Sequence, residues 1–185
     1  MKKDMRFTVT ERMLREGMLR CLEAKTLSRI TVSDVCRESG INRATFYNHY
    51  NIPASILREI AREYASRLSS IYSSNHSASD KDDSAAVEAC ISYVSEKKSE
   101  LKVLFSENAE NYLAGAAMEI INEKTAEKAS AAGTDNRSDE YLLMAATSAS
   151  AAFGFIQIWL TTDISMTPKE LVGILKSVIR GNVFM

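Results

Sequence analysis

The sequence predicts an all-α protein of about nine helices. Three observations carry that expectation. Turn-formers are scarce, with seven Gly and two Pro in 185 residues, so a chain of many short strands and tight turns is disfavoured. The β-branched residues do not alternate with polar ones, as half-buried strands require. In segment after segment, apolar residues recur at steps of three and four, the spacing of one helical face.

A first helix is expected from Thr8 or Thr10, with Glu11 completing a capping pair from Thr8, to about Ala24. Its stripe is Leu14, Met18, Cys21 and Leu22, and Leu27 and Ile30 follow as plugs for a small core. Thr31 with Asp34 three residues on is the start signal of a second helix, and Val32, Val35 and Cys36 are its apolar stripe. Gly40 stops it, because glycine adopts positive φ without a Cβ penalty. Asn42 is a good N-cap for a third helix. At 100° per residue Phe46 and Tyr50 of that helix point one way, with Ile41 just before them. Ala44 and Asn48, flanked by Thr45 and Tyr47, point the other way, and Arg43 projects from the first turn.

Pro53 suits a first helical position, so a fourth helix is expected from 53 to about 72 with Ile56, Leu57, Ile60 and Tyr64 inward. The polar run Ser73 to Ser84, which contains His76, reads as a loop and a domain boundary. Val87, Ile91 and Val94 mark a fifth helix, Ser99 to Phe105 a short sixth, and Ala109 to Ala131 a seventh. Ala132 to Asp139, with Gly133 and Asn136, is a second loop. In the eighth helix Ala145, Ala149, Ala152, Ile156 and Trp159 repeat at steps of four and three, a seam suited to close helix pairing. Thr167, Pro168 and Glu170 open a ninth helix with Leu171, Ile174, Leu175 and Val178 as its stripe, and Gly181 ends it.

The outward set on the third helix combines a small residue, allowing close approach, with donors suited to phosphates and base edges. Arg43 can pair bidentately with guanine and Asn48 with adenine. A helix presenting its N-terminal residues to the major groove is how helix-turn-helix proteins read sequence. Ile30-Thr31-Val32-x-Asp34-Val35, followed by Gly40-Ile41-Asn42-Arg43-x-Thr45-Phe46-Tyr47-x-His49-Tyr50, resembles the DNA-binding signature of the TetR family of bacterial transcriptional regulators. The match covers about residues 8 to 60, a third of the chain.

The resemblance implies a helix-turn-helix domain over residues 1–52. It implies a helical effector-binding and dimerisation domain over 53–185, with the helix from 53 to 72 as connector. It places Thr31, Asn42, Arg43, Ala44, Thr45, Tyr47, Asn48 and His49 at double-stranded DNA, a palindromic operator read by a homodimer. Thr45, Tyr47 and His49 would fix register through phosphates, and Thr31 would add its hydroxyl or N–H to one. Relatives often continue with a Ser/Asn-Lys-Glu/Asp run that brings a lysine to a phosphate. Here Ile52, Pro53 and Ala54 stand in its place.

The family logic is repression relieved by a small molecule, for which Tyr93, Phe105, Tyr112, Met118, Phe153 and Trp159 are the candidate lining. It also implies a dimer built as a four-helix bundle, for which Ala145, Ala149, Ala152, Ile156, Leu171, Ile174, Leu175 and Val178 are the candidate interface. The alternative is a transcriptional coactivator controlled by a protein partner. The Gly-Ile-Asn-Arg-x-Thr-Phe-Tyr form is similar to regulators of dihydroxyacetone kinase operons, which use one.

Charge agrees with that division. Residues 1 to 60 carry eleven Lys and Arg against seven Asp and Glu, and the remainder twelve against seventeen. A basic leading unit on an acidic body suggests that only the former meets a polyanion. Cys21, Cys36 and Cys90 are scattered and, with two His, form no metal-ligand spacing, so no metal or cofactor is expected. No phosphate-cradling Gly loop, nucleophile elbow or HExxH occurs, and no enzyme is expected. Met1 to Glu11 is polar and lacks the pattern of a secretion signal, so a cytoplasmic protein is expected. Tyr141 to Thr162 carries no charge over 22 residues, but Thr147, Ser148, Ser150 and Gln157 argue for burial in protein rather than in a membrane.

Overall fold

The two short helices of the motif form because their ends are capped locally. The Thr31 hydroxyl accepts from the Asp34 N–H at 3.2 Å, and the Asp34 carboxylate accepts from the Thr31 N–H at 3.0 Å. Gly40 ends that helix in the left-handed conformation, φ 70°, returning its N–H to the Cys36 carbonyl. The Asn42 carboxamide oxygen then accepts from the Thr45 N–H at 2.8 Å and starts the next.

The computed structural model describes residues 5–75, 84–131, 139–162 and 164–179. In order the helices are α1 (Met5–Ala24), α2 (Val32–Ser39), α3 (Arg43–His49), α4 (Pro53–Asn75), α5 (Ser84–Glu96), α6 (Lys98–Leu104), α7 (Tyr112–Ala131), α8 (Asp139–Thr161) and α9 (Pro168–Ile179). Two 3-10 turns, Leu27–Arg29 and Glu107–Ala109, sit between α1 and α2 and between α6 and α7. No strand occurs among the described residues, and the all-helical expectation holds.

Element boundaries differ from expectation in instructive ways. α1 begins at Met5, ahead of Thr8, because nothing in Met5 to Phe7 opposes a helix and a capping pair is a preference rather than a barrier. α4 runs three residues beyond Tyr72, to Asn75. α7 starts at Tyr112 rather than Ala109, since Glu110 and Asn111 take φ of 50° and 60° and break the helical path. Of the loops expected over Ser73 to Ser84 and Ala132 to Asp139, Ser73 to Asn75, Ser84 and Asp139 are helical; the rest of both, and the stop at Gly181, lie outside the described residues.

The core is continuous. Leu14, Met18, Leu22, Val35 and Phe46 bury fully among α1, α2 and α3, and Leu27, Ile30 and Tyr50 close the edges. Ile56, Leu57 and Ile60 of α4 carry the same cluster onward to Val87, Ile91, Leu101, Leu113, Leu160 and Leu171. Side chains of this kind each contribute about 1.5–3 kcal/mol when taken fully out of water. α1 and α2 approach closely at Gly17, where an added Cβ would stand 2.8 Å from the Ser39 Cβ and 2.9 Å from its backbone nitrogen. α4 is held on two sides by ion pairs. Arg15 of α1 meets Glu63 at 2.6 Å, while Arg62 meets Glu123 of α7 at 2.8 Å and Glu119 at 3.3 Å. All three cysteines are free, and burial pushes the Cys21 and Cys90 thiols up to about 11, which leaves them poor nucleophiles.

Candidate DNA-reading surface

α3 is seven residues long and amphipathic in the sense its sequence requires. Phe46 is fully buried, and the rings of Tyr47 and Tyr50 lie 5.5 and 6.3 Å from it, the former edge-on. The Tyr50 hydroxyl donates to the Glu59 carboxylate at 3.0 Å, fixing the end of α3 to α4. Burial and that carboxylate together hold the Tyr50 phenol well above its ordinary pKa, so it remains a neutral donor. With this side locked, Asn42, Arg43, Ala44, Tyr47 and Asn48 are exposed on the other, Tyr47 by 56%.

The expected set is therefore gathered on one surface, with three refinements. Thr45 and His49 are half-buried, and the His49 ring lies 6.4 Å from that of Tyr50. Asn42 spends its carboxamide oxygen on the cap of α3. Thr31 gives both its donors to Asp34, the hydroxyl at 2.8 Å and the N–H at 3.0 Å. A phosphate contact through the Thr31 hydroxyl or N–H would break the capping box, so the free donors at this end of α2 are the first-turn amides beyond it.

Asp34 does more than cap. It is 6% exposed, and its Oδ1 accepts from Lys25 at 2.8 Å and from Arg37 at 3.1 Å. The Lys25 hydrogen bond, then those from the Thr31 backbone and hydroxyl, hold its carboxyl well below the usual carboxylate range. One charged group thus joins the α1–α2 connection to α2. The Arg43 guanidinium donates to the Ser33 hydroxyl, tying the first residue of α3 back to α2. Neither Ser33 nor the Lys25 contact is visible in the sequence, since both depend on how the helices cross.

The expected ligand lining is distributed over α5, the turn after α6, α7 and α8. Phe105 and Phe153 meet at 5.6 Å, but Phe105 and Trp159 are buried in the core. Lys98 lies 5.1 Å over the Trp159 ring. Tyr93 packs 6.2 Å from Tyr64 of α4, and Tyr112 and Met118 are half-buried on α7. None of the six lines the groove of about 450 Å³ between α5 and α9, whose walls include Ile91, Ser92, Lys169, Val172 and Lys176.

The expected dimer seam is redistributed. Ile156, Leu171 and Leu175 are buried inside the chain, where α8 and α9 pack on α5, α6 and α7. Ala149 and Ala152 are half-buried, and Ala145 and Val178 lie outside the described side chains. The face left open on α8 is the opposite one: Leu143, 66% exposed, Thr147, Ser150 and Ile158, 55% exposed; on α9, Ile174 is 41% exposed. Of the seam on α8, Ile156 and Trp159 pack into this chain's own core.

Among the described residues no cluster of His, Cys, Asp and Glu is placed to hold a metal ion. Among the same residues, no helix is long and apolar enough to cross a membrane. A family model described as a transcriptional regulator C-terminal region matches residues 82–181, more than half of the chain. The fold is shared with solved regulators. One is the fatty acid degradation regulator FadR from Bacillus halodurans, with TM-score 0.68 and 14% identity over 100% of this chain and 99% of that one. Another is a TetR-family regulator from Syntrophomonas wolfei, at 0.65 and 13% over 95% and 97%. A third is a TetR regulator from Streptococcus agalactiae, at 0.60 and 16% over 95% and 96%. No curated protein matches the sequence. The helix-turn-helix on a helical body is the architecture of a transcriptional regulator. The chain belongs to the TetR family, whose members bind DNA and dimerise.

Proposed function

We propose that this protein is a dimeric, cytoplasmic repressor that reads a palindromic operator with α3. In this reading residues 1–52 form the reader and residues 53–185 bind a small molecule that changes operator affinity. The observation that carries it is the surface of α3. Arg43, Ala44, Tyr47 and Asn48 stand exposed on a helix whose other side is fixed by buried Phe46 and Tyr50. Arg43 and Asn48 read base edges, and Tyr47, Thr45 and His49 set register on phosphates. The second copy docks on Leu143, Ile158 and Ile174, apolar side chains that a lone chain leaves in water. Ser and Gly between them on α8 permit close backbone approach.

The test is a fluorescence-anisotropy titration of the purified protein with DNA from upstream of its own gene, against scrambled DNA of equal length, at near-physiological salt. Selective, saturable binding at two chains per duplex is the expected result. Equal weak binding to both DNAs would overturn the reading for that operator. Binding that arises only on addition of a second protein would replace the small molecule with a protein partner.

A further inference from the structure

Besides α4 and α6, the body of the molecule reaches the reader through the turn that follows α6. After α6 the chain makes the 3-10 turn Glu107–Ala109, and Glu110 and Asn111 follow in the left-handed region. Residues with a Cβ occupy that region at a cost, and it persists where surrounding contacts hold it. Here the contacts are with the reader. The Asn108 side-chain amide donates to the Leu22 carbonyl at 2.8 Å, one of the last carbonyls of α1. The Glu110 carboxylate accepts from the Ser28 N–H at 3.0 Å, within the 3-10 turn that leads into α2. The two bonds bracket the joint between α1 and α2, which also carries the Lys25–Asp34 contact.

The same turn is held from behind by α8. The Gln157 side chain donates to the Phe105 carbonyl at 3.1 Å, and Phe153 packs on the Phe105 ring. Ala109, between the two sets of contacts, is fully buried. A continuous path of contacts therefore runs from α8, through Phe105 to Glu110, to Leu22 and Ser28.

We propose that the Phe105–Asn111 turn is a latch that transmits the position of α8 to the α1–α2 joint of the reader. A shift of α8 moves the Phe105 carbonyl, and the turn, being strained, responds as a unit and releases or reseats Asn108 and Glu110. The regulatory meaning of the latch rests on the proposed role of α3. Its mechanics do not, and they are tested without DNA.

The experiment is amide hydrogen exchange of Ser28 by NMR in the 185-residue chain. Glu110→Ala is expected to speed exchange at Ser28 about three- to tenfold, the loss of one modest hydrogen bond. Gln157→Ala, remote from the reader, is expected to speed it in the same direction. Asn75→Ala, exposed at the last position of α4, is expected to leave it unchanged. Gln157→Glu, which keeps the length of the side chain but cannot donate as a carboxylate, repeats the test if the alanine variant does not fold. Unchanged exchange in Glu110→Ala overturns the contact. Faster exchange in Glu110→Ala with no change in either Gln157 variant overturns the latch and leaves a local tether.

Discussion

The reader and the last two helices both bury one side of short amphipathic segments, and they finish differently. In residues 5–52 the inward positions are large: Leu14, Met18, Leu22 and Phe46 are fully enclosed. The helix ends meet capping partners at Thr31 and Asn42, and the deeply placed charge of Asp34 meets two cations. In α8 the sequence is rich in Ala and Ser, and Leu143 and Ile158 remain exposed, as does Ile174 of α9. Ala-rich helices bury little area per residue but let another helix approach. The reader is closed within one chain; α8 and α9 present a surface suited to a second copy.

Substitutions can sharpen that contrast. Phe46→Ala empties the centre of the reader and is expected to cost about 3–5 kcal/mol, abolishing DNA binding while α-helical circular dichroism of the body persists. If both halves melt together, the continuous core through α4 makes them one cooperative unit. Ile158→Glu is expected to shift the sedimentation of the protein from two chains to one without lowering the melting temperature of the reader, since it places a charge only on the open face. An unchanged sedimentation coefficient would remove that face from the interface.

Smaller effects probe the reader alone. Arg43→Ala is expected to weaken operator binding by about 1–3 kcal/mol, with little loss on random DNA; equal losses on both would make Arg43 a phosphate contact. Thr31→Ala removes half of the capping box and is expected to lower stability by about 1 kcal/mol, read by urea denaturation. The smallest effect at neutral pH is that of Asp34 protonation. Its carboxyl is depressed in the folded chain, so its contribution is complete above the unfolded value of about 3.9 and is lost as pH falls through the folded one. Stability of the wild-type reader should fall below about pH 4 more steeply than that of Asp34→Asn. Parallel acid profiles would show that the Lys25 and Arg37 contacts contribute nothing.

The reader was largely legible in sequence because its determinants are local. Thr31 and Asp34, Gly40, and Asn42 act over three or four residues, where helix geometry alone decides which groups meet. The same periodicity correctly sent Phe46 and Tyr50 inward and left Arg43, Tyr47 and Asn48 outside. It also found the seam of α8 but could not say which surface would cover it, because a stripe has the same spacing whether its partner is intrachain or a second copy. Ile156, Leu171 and Leu175 went to the former. The break before α7 was missed for a related reason: nothing local in Glu110 and Asn111 demands positive φ, and the contacts that hold it come from Leu22 and Ser28, more than eighty residues away.

The sequence by itself determined the helical class, the caps and stops of the motif, and the composition of the surface on α3, since each follows from residues within a turn or two of one another. Tertiary structure alone decided that Gly17 lies against Ser39, that Arg62 bridges α4 to Glu119 and Glu123, and that Leu143, Ile158 and Ile174 remain exposed. Those outcomes depend on how helices cross, and crossing is set by the packing of the whole core rather than by the spacing of any one segment.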